Sequence, residues 1–258
     1  MAKDTATAPA PRQAAQVRNV ALVGHAGSGK TTLAEALLLT AGAIPRAGRV
    51  EDGTTCLDNE DVEIRQQRSV SLGVATFEHR GHRLTLLDTP GSPDFVGELR
   101  AGLRAADAAL FVVSAVNGVD ATTVALWEEC AVVGMPRAVV ITQLDRARAD
   151  VDDAVRLCQR MLGAGVYPMH LLDRGADGAV RGLVSLLEPH ADAVEADRLR
   201  GELIEGIIGE SEDEALMERY LAGDELTVAD LVADLEKAVA RGHFHPVVCV
   251  SAPSGVGV

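Results

Sequence analysis

The sequence predicts an α/β domain, a mostly parallel sheet with helices on both faces. Three observations carry this. Short apolar runs alternate with helix-like stretches from Asn19 onward, the rhythm of successive βα units. The runs are continuously apolar, as strands covered on both faces must be. The first of them leads into a glycine-rich loop and then a helix, a junction suited to holding phosphate.

Taken in order, runs at 20–23, 84–87, 108–113, 138–141 and 247–250 read as strands. Helical patterning covers 31–41, 93–105, 122–133 and 151–162. Beyond residue 163 the pattern changes, with helices at 196–208, 212–222 and 226–240. The last has Thr227 at its start with Asp230 three residues on, a capping-box-like pair, and Gly242 beyond its end. Residues 1–16, rich in Ala, Pro, Thr and Gln, read as a flexible tail without an apolar signal segment.

Composition removes several classes of function. The 258 residues carry 24 Lys and Arg against 38 Asp and Glu, a net charge of −14, which argues against a basic nucleic-acid clamp and against DNA as a partner. Aromatic residues are 3%, too few for a base-stacking platform. Hydrophobic residues are 47%, enough for a core, yet no run is long enough to cross a bilayer, so no membrane partner is expected. Four separated cysteines, Cys56, Cys130, Cys158 and Cys249, form no C-x-x-C pair and suggest a reducing, cytoplasmic setting. His243 and His245 face opposite ways on an extended chain and read as surface or packing residues.

The charge is unevenly placed. Residues 188–237 hold 16 acidic and 4 basic residues, most of the net charge. A solvated set of amphipathic helices explains this; an acidic docking surface for a basic partner is the sharper alternative.

Gly24, His25, Ala26, Gly27, Ser28, Gly29, Lys30 and Thr31 satisfy G-x-x-x-x-G-K-[ST], between a strand run and the helix that opens at Thr32. Glycines let backbone N–H groups turn around phosphate oxygens, with the positive end of the helix behind them. Lys30 is placed for the β- and γ-phosphates and the Thr31 hydroxyl for Mg²⁺. The run 84–87 ends in Asp88-Thr89-Pro90-Gly91. Asp88 is placed to hold Mg²⁺ through water, and the Gly91 N–H to approach a γ-phosphate. These residues alone give a nucleoside triphosphatase. A small-molecule kinase is disfavoured because no Arg-rich lid is evident.

At GHAGSGKTTL, GTTCLDNEDVEIRQQRSVSL, DTPGSPDFVGELRAGLRAADAALFVV and DEALMERYLAGDEL the chain resembles the translational GTPases, most nearly the elongation-factor-G-like proteins. The resemblance implies a P-loop GTPase domain over 17–258, on a mostly parallel six-stranded sheet, with a helical or mixed insertion at about 163–245 before the last strand. It implies GTP and GDP as ligands, Mg²⁺ as cofactor, the ribosome as partner and a monomer. The family's following domains are absent from this sequence, so a fragment or a truncated relative is expected. It also implies that Ser71 stands where the first switch presents a Thr to the metal. Likewise Ser251 and Ala252 match the Ser-Ala motif whose backbone reads guanine.

Three departures from the family pattern bear on activity. Ser92 occupies the position of the His that positions the attacking water, and a hydroxyl on a short stem cannot replace an imidazole there. Intact binding with feeble hydrolysis is expected, or a nucleotide-gated binding module with no useful turnover. Of the catalytic set, Lys30 and Gly91 remain. The base-reading motif N-K-x-D becomes Thr142, Gln143, Leu144 and Asp145. Asp145 still offers a carboxylate to guanine N1 and N2, though it would also serve as a cap for the following helix. Thr142 lacks the Asn amide, and Gln143 replaces a Lys whose stem packs on the ring. Finally, Gly27 stands where the family usually has Asp.

Overall fold

The computed structural model describes residues 13–163, 165–189 and 194–258. The tail expected over 1–16 lies outside the described residues up to Arg12, and Ala14–Gln16 close a 3-10 turn before the first strand.

Strand β1 (Val17–Val23) feeds the glycine loop and helix α1 (Lys30–Thr40). A long connection carrying α2 (Asp61–Gln66) leads to β2 (Gly73–His79) and β3 (His82–Asp88). Then come α3 (Val96–Ala105), β4 (Ala108–Ser114), α4 (Ala121–Val132), β5 (Arg137–Thr142) and α5 (Val151–Leu162). A short β6 (Val166–Pro168) is followed by a hairpin, β7 (His170–Arg174) with β8 (Val180–Ser185). Helices α6 (Val194–Gly209), α7 (Glu214–Ala222) and α8 (Val228–Ala240) precede the final strand β9 (His245–Cys249).

The main sheet runs β2-β3-β1-β4-β5-β9-β6. Only the β2–β3 pair is antiparallel. The sheet therefore has seven strands where six were expected. β6 is three residues long, too short to register as an apolar run, and it joins by pairing with β9. β2 also lacks an apolar run, because its Gly, Thr, Glu and His interrupt the signal. The helices predicted at 31–41, 122–133 and 151–162 form within one residue of those limits, and the last coincides with α5. Asp120 and Asp150 accept from Thr123 N and Asp153 N at the starts of α4 and α5, as N-caps do.

Side chains of the central strands alternate between two apolar layers. Ala21, Val23, Phe111 and Val113 pack with Leu99 and Leu103 of α3, Trp127 of α4 and Cys158 of α5. Leu22, Val112 and Val140 pack with Leu33, Ala34 and Leu38 of α1 on the other face. The polar helices after β8 have a core of their own, including Leu203, Ile207, Leu231 and Phe244. Tyr167 stacks on Phe244 with ring centroids 4.8 Å apart. A Cβ at Gly206 would collide with the Tyr167 ring, so only glycine lets α6 come this close. The Thr227–Asp230 capping box forms as predicted, through reciprocal bonds of 3.2 and 3.3 Å.

His245 is buried, as a packing residue. Its ring lies edge-on to Trp127 at 4.7 Å, and its Nε2 is 3.2 Å from Arg137. Arg137 also donates to the Trp127 and Gly242 carbonyls and lies 4.5 Å from the Trp127 ring centre. This cluster anchors the start of β9.

Strand order reverses at β1: the chain passes to β3 on one side and to β4 on the other. The loop after β1 thus opens at a topological switch point, beyond the carboxyl ends of the strands, where open α/β sheets bind ligands.

Candidate functional site

The glycines of the first loop have structural reasons. At Gly24 a Cβ would collide with the Val112 carbonyl, and Gly27 and Gly29 have φ of +78° and +93°, where only glycine is unstrained. Gly29 is the N-cap of α1, and no side chain caps that turn. Its free N–H groups and the helix dipole together favour an anion. Lys30 Nζ donates to the Gly24 and His25 carbonyls at 2.9 and 3.1 Å. Burial lowers the Lys30 pKa, opposed by the charges of Asp88, Asp58 and Asp120.

Asp88, at the end of β3, is buried, and its Oδ2 accepts from the Thr31 hydroxyl at 2.7 Å. Its Oδ1 has no partner among the described residues. Burial raises its pKa to about 6, against the pull of Lys30 and Thr31. Asp58 is also buried, with Oδ2 likewise unpartnered and its pKa raised by burial. Two such oxygens beside a phosphate cradle fit a divalent cation. The described residues contain no group of three or more His, Cys, Asp or Glu around a metal position.

The connection between α1 and β2 folds over this corner, held by buried carboxylates. Glu35 accepts from Gly48 N and Cys56 N at 2.7 and 2.6 Å. Glu63 collects Val70 N, Ser71 N and the Ser71 hydroxyl at 3.0 to 3.1 Å. Ser71 is thereby turned toward Glu63, and the structure does not bring it to Thr31 and Asp88. Ser69 stands there instead, its hydroxyl 3.3 Å from that of Thr31 and hydrogen-bonded to Asp58.

Gly91 presses on the loop. A Cβ there would lie 2.5 Å from Ala26 N and 2.6 Å from Lys30 Nζ. The next residue, Ser92, turns its hydroxyl to Asp94 Oδ2 at 3.3 Å. Together Ala26, Gly27, Lys30, Thr31, Gly91 and Ser92 line part of a polar cavity of about 350 Å³.

A second cavity of about 430 Å³ adjoins the first and is more apolar, with Ala36, Leu39, Thr142, Asp145, Ala252 and Pro253 in its wall. Gly29, Thr32, Glu51, Gln143 and Arg146 line both. Asp145 does not cap α5, since Asp150 does; its Oδ1 lies 3.5 Å from the Ser251 hydroxyl. Ser251 is buried. Thr142 donates its hydroxyl to the Ser28 carbonyl at 2.6 Å, with a longer approach of 3.3 Å to Val113 O. Gln143, at φ +61°, sends its amide to the phosphate loop, where Nε2 donates to Gly27 O at 2.8 Å. Where a stem packed on a ring was the family expectation, the structure shows a second tie between the two loops.

Residues 15–258 match the elongation factor Tu GTP-binding domain family. The chain belongs to that family. Proteins from two strains of Mycobacterium tuberculosis (CDC 1551 / Oshkosh and ATCC 25618 / H37Rv), each described as an elongation factor G-like protein, are 52% identical to it over 264 residues. The match covers 98% of this chain and 37% of theirs. A crystal structure from Thermus thermophilus superposes with a TM-score of 0.84 at 40% identity, over 94% of this chain and 38% of that one. The chain thus spans under two fifths of the length of these relatives.

In this GTP-binding domain, the sequence-selected residues divide by position. Ala26, Gly27, Gly29, Lys30, Thr31, Thr32, Gly91, Ser92, Thr142, Gln143, Asp145 and Ala252 face the paired cavities. Gly24, His25, Ser28, Asp88 and Ser251 are not in the walls; Asp88 and Ser251 bond to Thr31 and Asp145, which are. Residues not anticipated are Asp58, Ser69, Arg68, Glu51 and Arg146. Most lie on the irregular α1–β2 connection, where no periodicity exists to read. Arg146 directly follows Asp145, and that adjacency was an available signal.

Proposed function

We propose that this domain binds GTP and GDP with Mg²⁺ as the nucleotide switch of a ribosome-associated factor, and hydrolyses GTP slowly. The observation that carries the binding half is the pair of joined cavities, one walled by the loop and Lys30, the other by Asp145 and Ala252. In this reading the loop from Gly24 to Thr32, with its Lys30 ammonium, holds the phosphates. Thr31 and Asp88 hold the metal, Asp88 through water. Ser69 is the nearest first-switch hydroxyl, and Ser71 reaches the metal only if it leaves Glu63. Asp145 accepts from guanine N1 and N2 hydrogens, and the backbone at Ser251 and Ala252 donates to O6. Bound Mg²⁺ supplies charge neutralisation along the phosphates.

The slow-hydrolysis half rests on Ser92, whose hydroxyl is engaged by Asp94. It has no ring nitrogen to hold an attacking water. Loss of such a group costs on the order of 10²-fold in rate. The same observation favours the second reading, a nucleotide-gated binding module without useful turnover. The ribosome, a monomeric state and a cytoplasmic setting belong to this proposal. The most acidic stretch, 188–237, faces a protein partner or solvent in it rather than anionic RNA.

Fluorescent GTP and ATP analogues titrated in parallel test the binding half; equal affinity removes the guanine assignment. Single-turnover hydrolysis with and without ribosomes tests the other half. Ser92→His is expected to raise the rate on the order of 10²-fold. Wild-type turnover that is already fast, or strongly ribosome-stimulated, overturns the slow-enzyme reading.

A further inference from the structure

We infer that Ser114 is a positioning residue for the nucleotide site, acting through Gln143 on the Gly27 carbonyl. The inference rests on the guanine-nucleotide reading above and names a device within it.

Hydrogen-bond chemistry fixes the direction of the chain. The Gly27 carbonyl can only accept, so the end of Gln143 facing it at 2.8 Å is the NH₂ end. The amide oxygen then faces the other way, toward the Ser114 hydroxyl at 2.7 Å. That hydroxyl oxygen accepts from Val116 N and Asn117 N at 3.1 and 3.2 Å, which occupies its two lone pairs. Its one hydrogen is left for Gln143. Ser114 thus donates to Gln143, which donates to Gly27.

Ser114 is fully buried at the end of β4, paired in register with Thr142 of β5. It sits on a rigid element and points at the residue after Thr142. Gly27 belongs to the wall of the polar cavity. A donor on its carbonyl fixes the peptide plane after Gly27 and offsets the repulsion its lone pairs would exert on phosphate oxygens. A Gln does this only when its amide is held one way round. A Lys at the same position donates from every rotamer of its ammonium and needs no such holder. Ser114 is therefore required because residue 143 is Gln.

The test measures release of GDP and GTP by wild type and by Ser114→Ala, each in backgrounds Gln143, Gln143→Lys and Gln143→Met, with thermal melts alongside. With Gln143 present, Ser114→Ala is expected to speed release of both nucleotides about five- to tenfold, the effect of one ordinary hydrogen bond. In the Lys and Met backgrounds it adds under about twofold, because the relay is bypassed in one and already broken in the other. A fall in Tm occurs in all three, since Val116 and Asn117 lose the same acceptor in each, and it is largest with Gln143, where the bond to the amide oxygen is lost as well. Equal acceleration in every background, or none with Gln143, overturns the inference. If Ser114→Ala does not fold, Gln143→Met must still release faster than Gln143→Lys, and equal rates overturn it. A wild type that retains no guanine nucleotide overturns the functional reading first, and the inference with it.

Discussion

In the reading proposed above, the phosphate half of the cavity is built from backbone. Its glycines, the uncapped start of α1 and Lys30 hold one geometry that few sequences can adopt. The half proposed for the base relies more on side chains, and there Thr142 and Gln143 differ from the family motif while still tying the two loops together. Backbone-made sites tolerate little change in their sequence signature. Side-chain-made sites tolerate change wherever another group can fill the same hydrogen bond. A departure from a motif is therefore better judged by which donors and acceptors remain paired than by residue identity.

The largest expected effect breaks the phosphate half. Lys30→Met removes a buried ammonium that no neighbouring cation replaces in the walls of the polar cavity except Arg68 and Arg146, both on exposed positions. Affinity for GTP and GDP should fall at least about 10²-fold, as loss of a charge-assisted contact in a buried site implies. Isothermal calorimetry in saturating Mg²⁺ reads this directly. A loss under about tenfold would mean the loop binds without its lysine, and the contrast between the halves would fail.

The supports of the two halves also differ. β1, which carries the phosphate loop, ends in buried Ala21, Leu22 and Val23, whereas β9, which leads to Ser251 and Ala252, begins at His245 against Arg137. Burial first, then the Arg137 charge, lowers the His245 pKa from 6.5 to about 4. The unfolded chain therefore takes up the proton first as pH falls. This contribution is fully present above the ordinary pKa and is lost as pH drops toward the folded one, by about 3 kcal/mol at the limit. Wild type minus His245→Asn, from denaturant melts, should narrow by about 2 kcal/mol between neutral pH and about pH 5, and approach the full amount only near pH 4. A pH-independent difference would show that His245 titrates normally.

Asp145→Asn sharpens the comparison from the base side. Xanthine carries a carbonyl where guanine has its amino group, so an amide suits xanthine as a carboxylate suits guanine. GTP affinity should drop by about 2 kcal/mol, the range for hydrogen bonds to a charged group, and XTP affinity should rise. Competition between the two nucleotides measures the exchange. If both weaken equally, Asp145 is not what reads the base.

Legibility in the sequence followed the same division. The loop from Gly24 to Thr31 could be read because positive φ and close approach to Val112 demand glycine. α5 could be read to the residue from its pattern, although the sequence offers Asp145 as its cap and the structure uses Asp150. β6 could not, being three residues whose strand pairing is supplied by β9 rather than by a local pattern. Asp58 and Ser69 reach the corner of Thr31 and Asp88 through an irregular connection whose path depends on Glu35 and Glu63 capturing distant N–H groups. No local pattern encodes that path. Gln143 was legible as a departure, but its direction was not, because it follows from a backbone at φ +61°.

The smallest effect decides whether Thr142 is a working substitute or a filler. Thr142→Val keeps shape and volume and removes only the hydroxyl, which donates at 2.6 Å to the Ser28 carbonyl. Thr142 is buried, so the abandoned carbonyl gains no water in exchange. The cost should be about 1 kcal/mol in stability, with nucleotide release faster by about fivefold because Ser28 lies inside the phosphate loop. Thr142→Asn, which offers an amide to the same carbonyl, should restore slow release. If Val matches wild type in both melting and release, the hydroxyl adds nothing, and the tie between the halves rests on Gln143 alone.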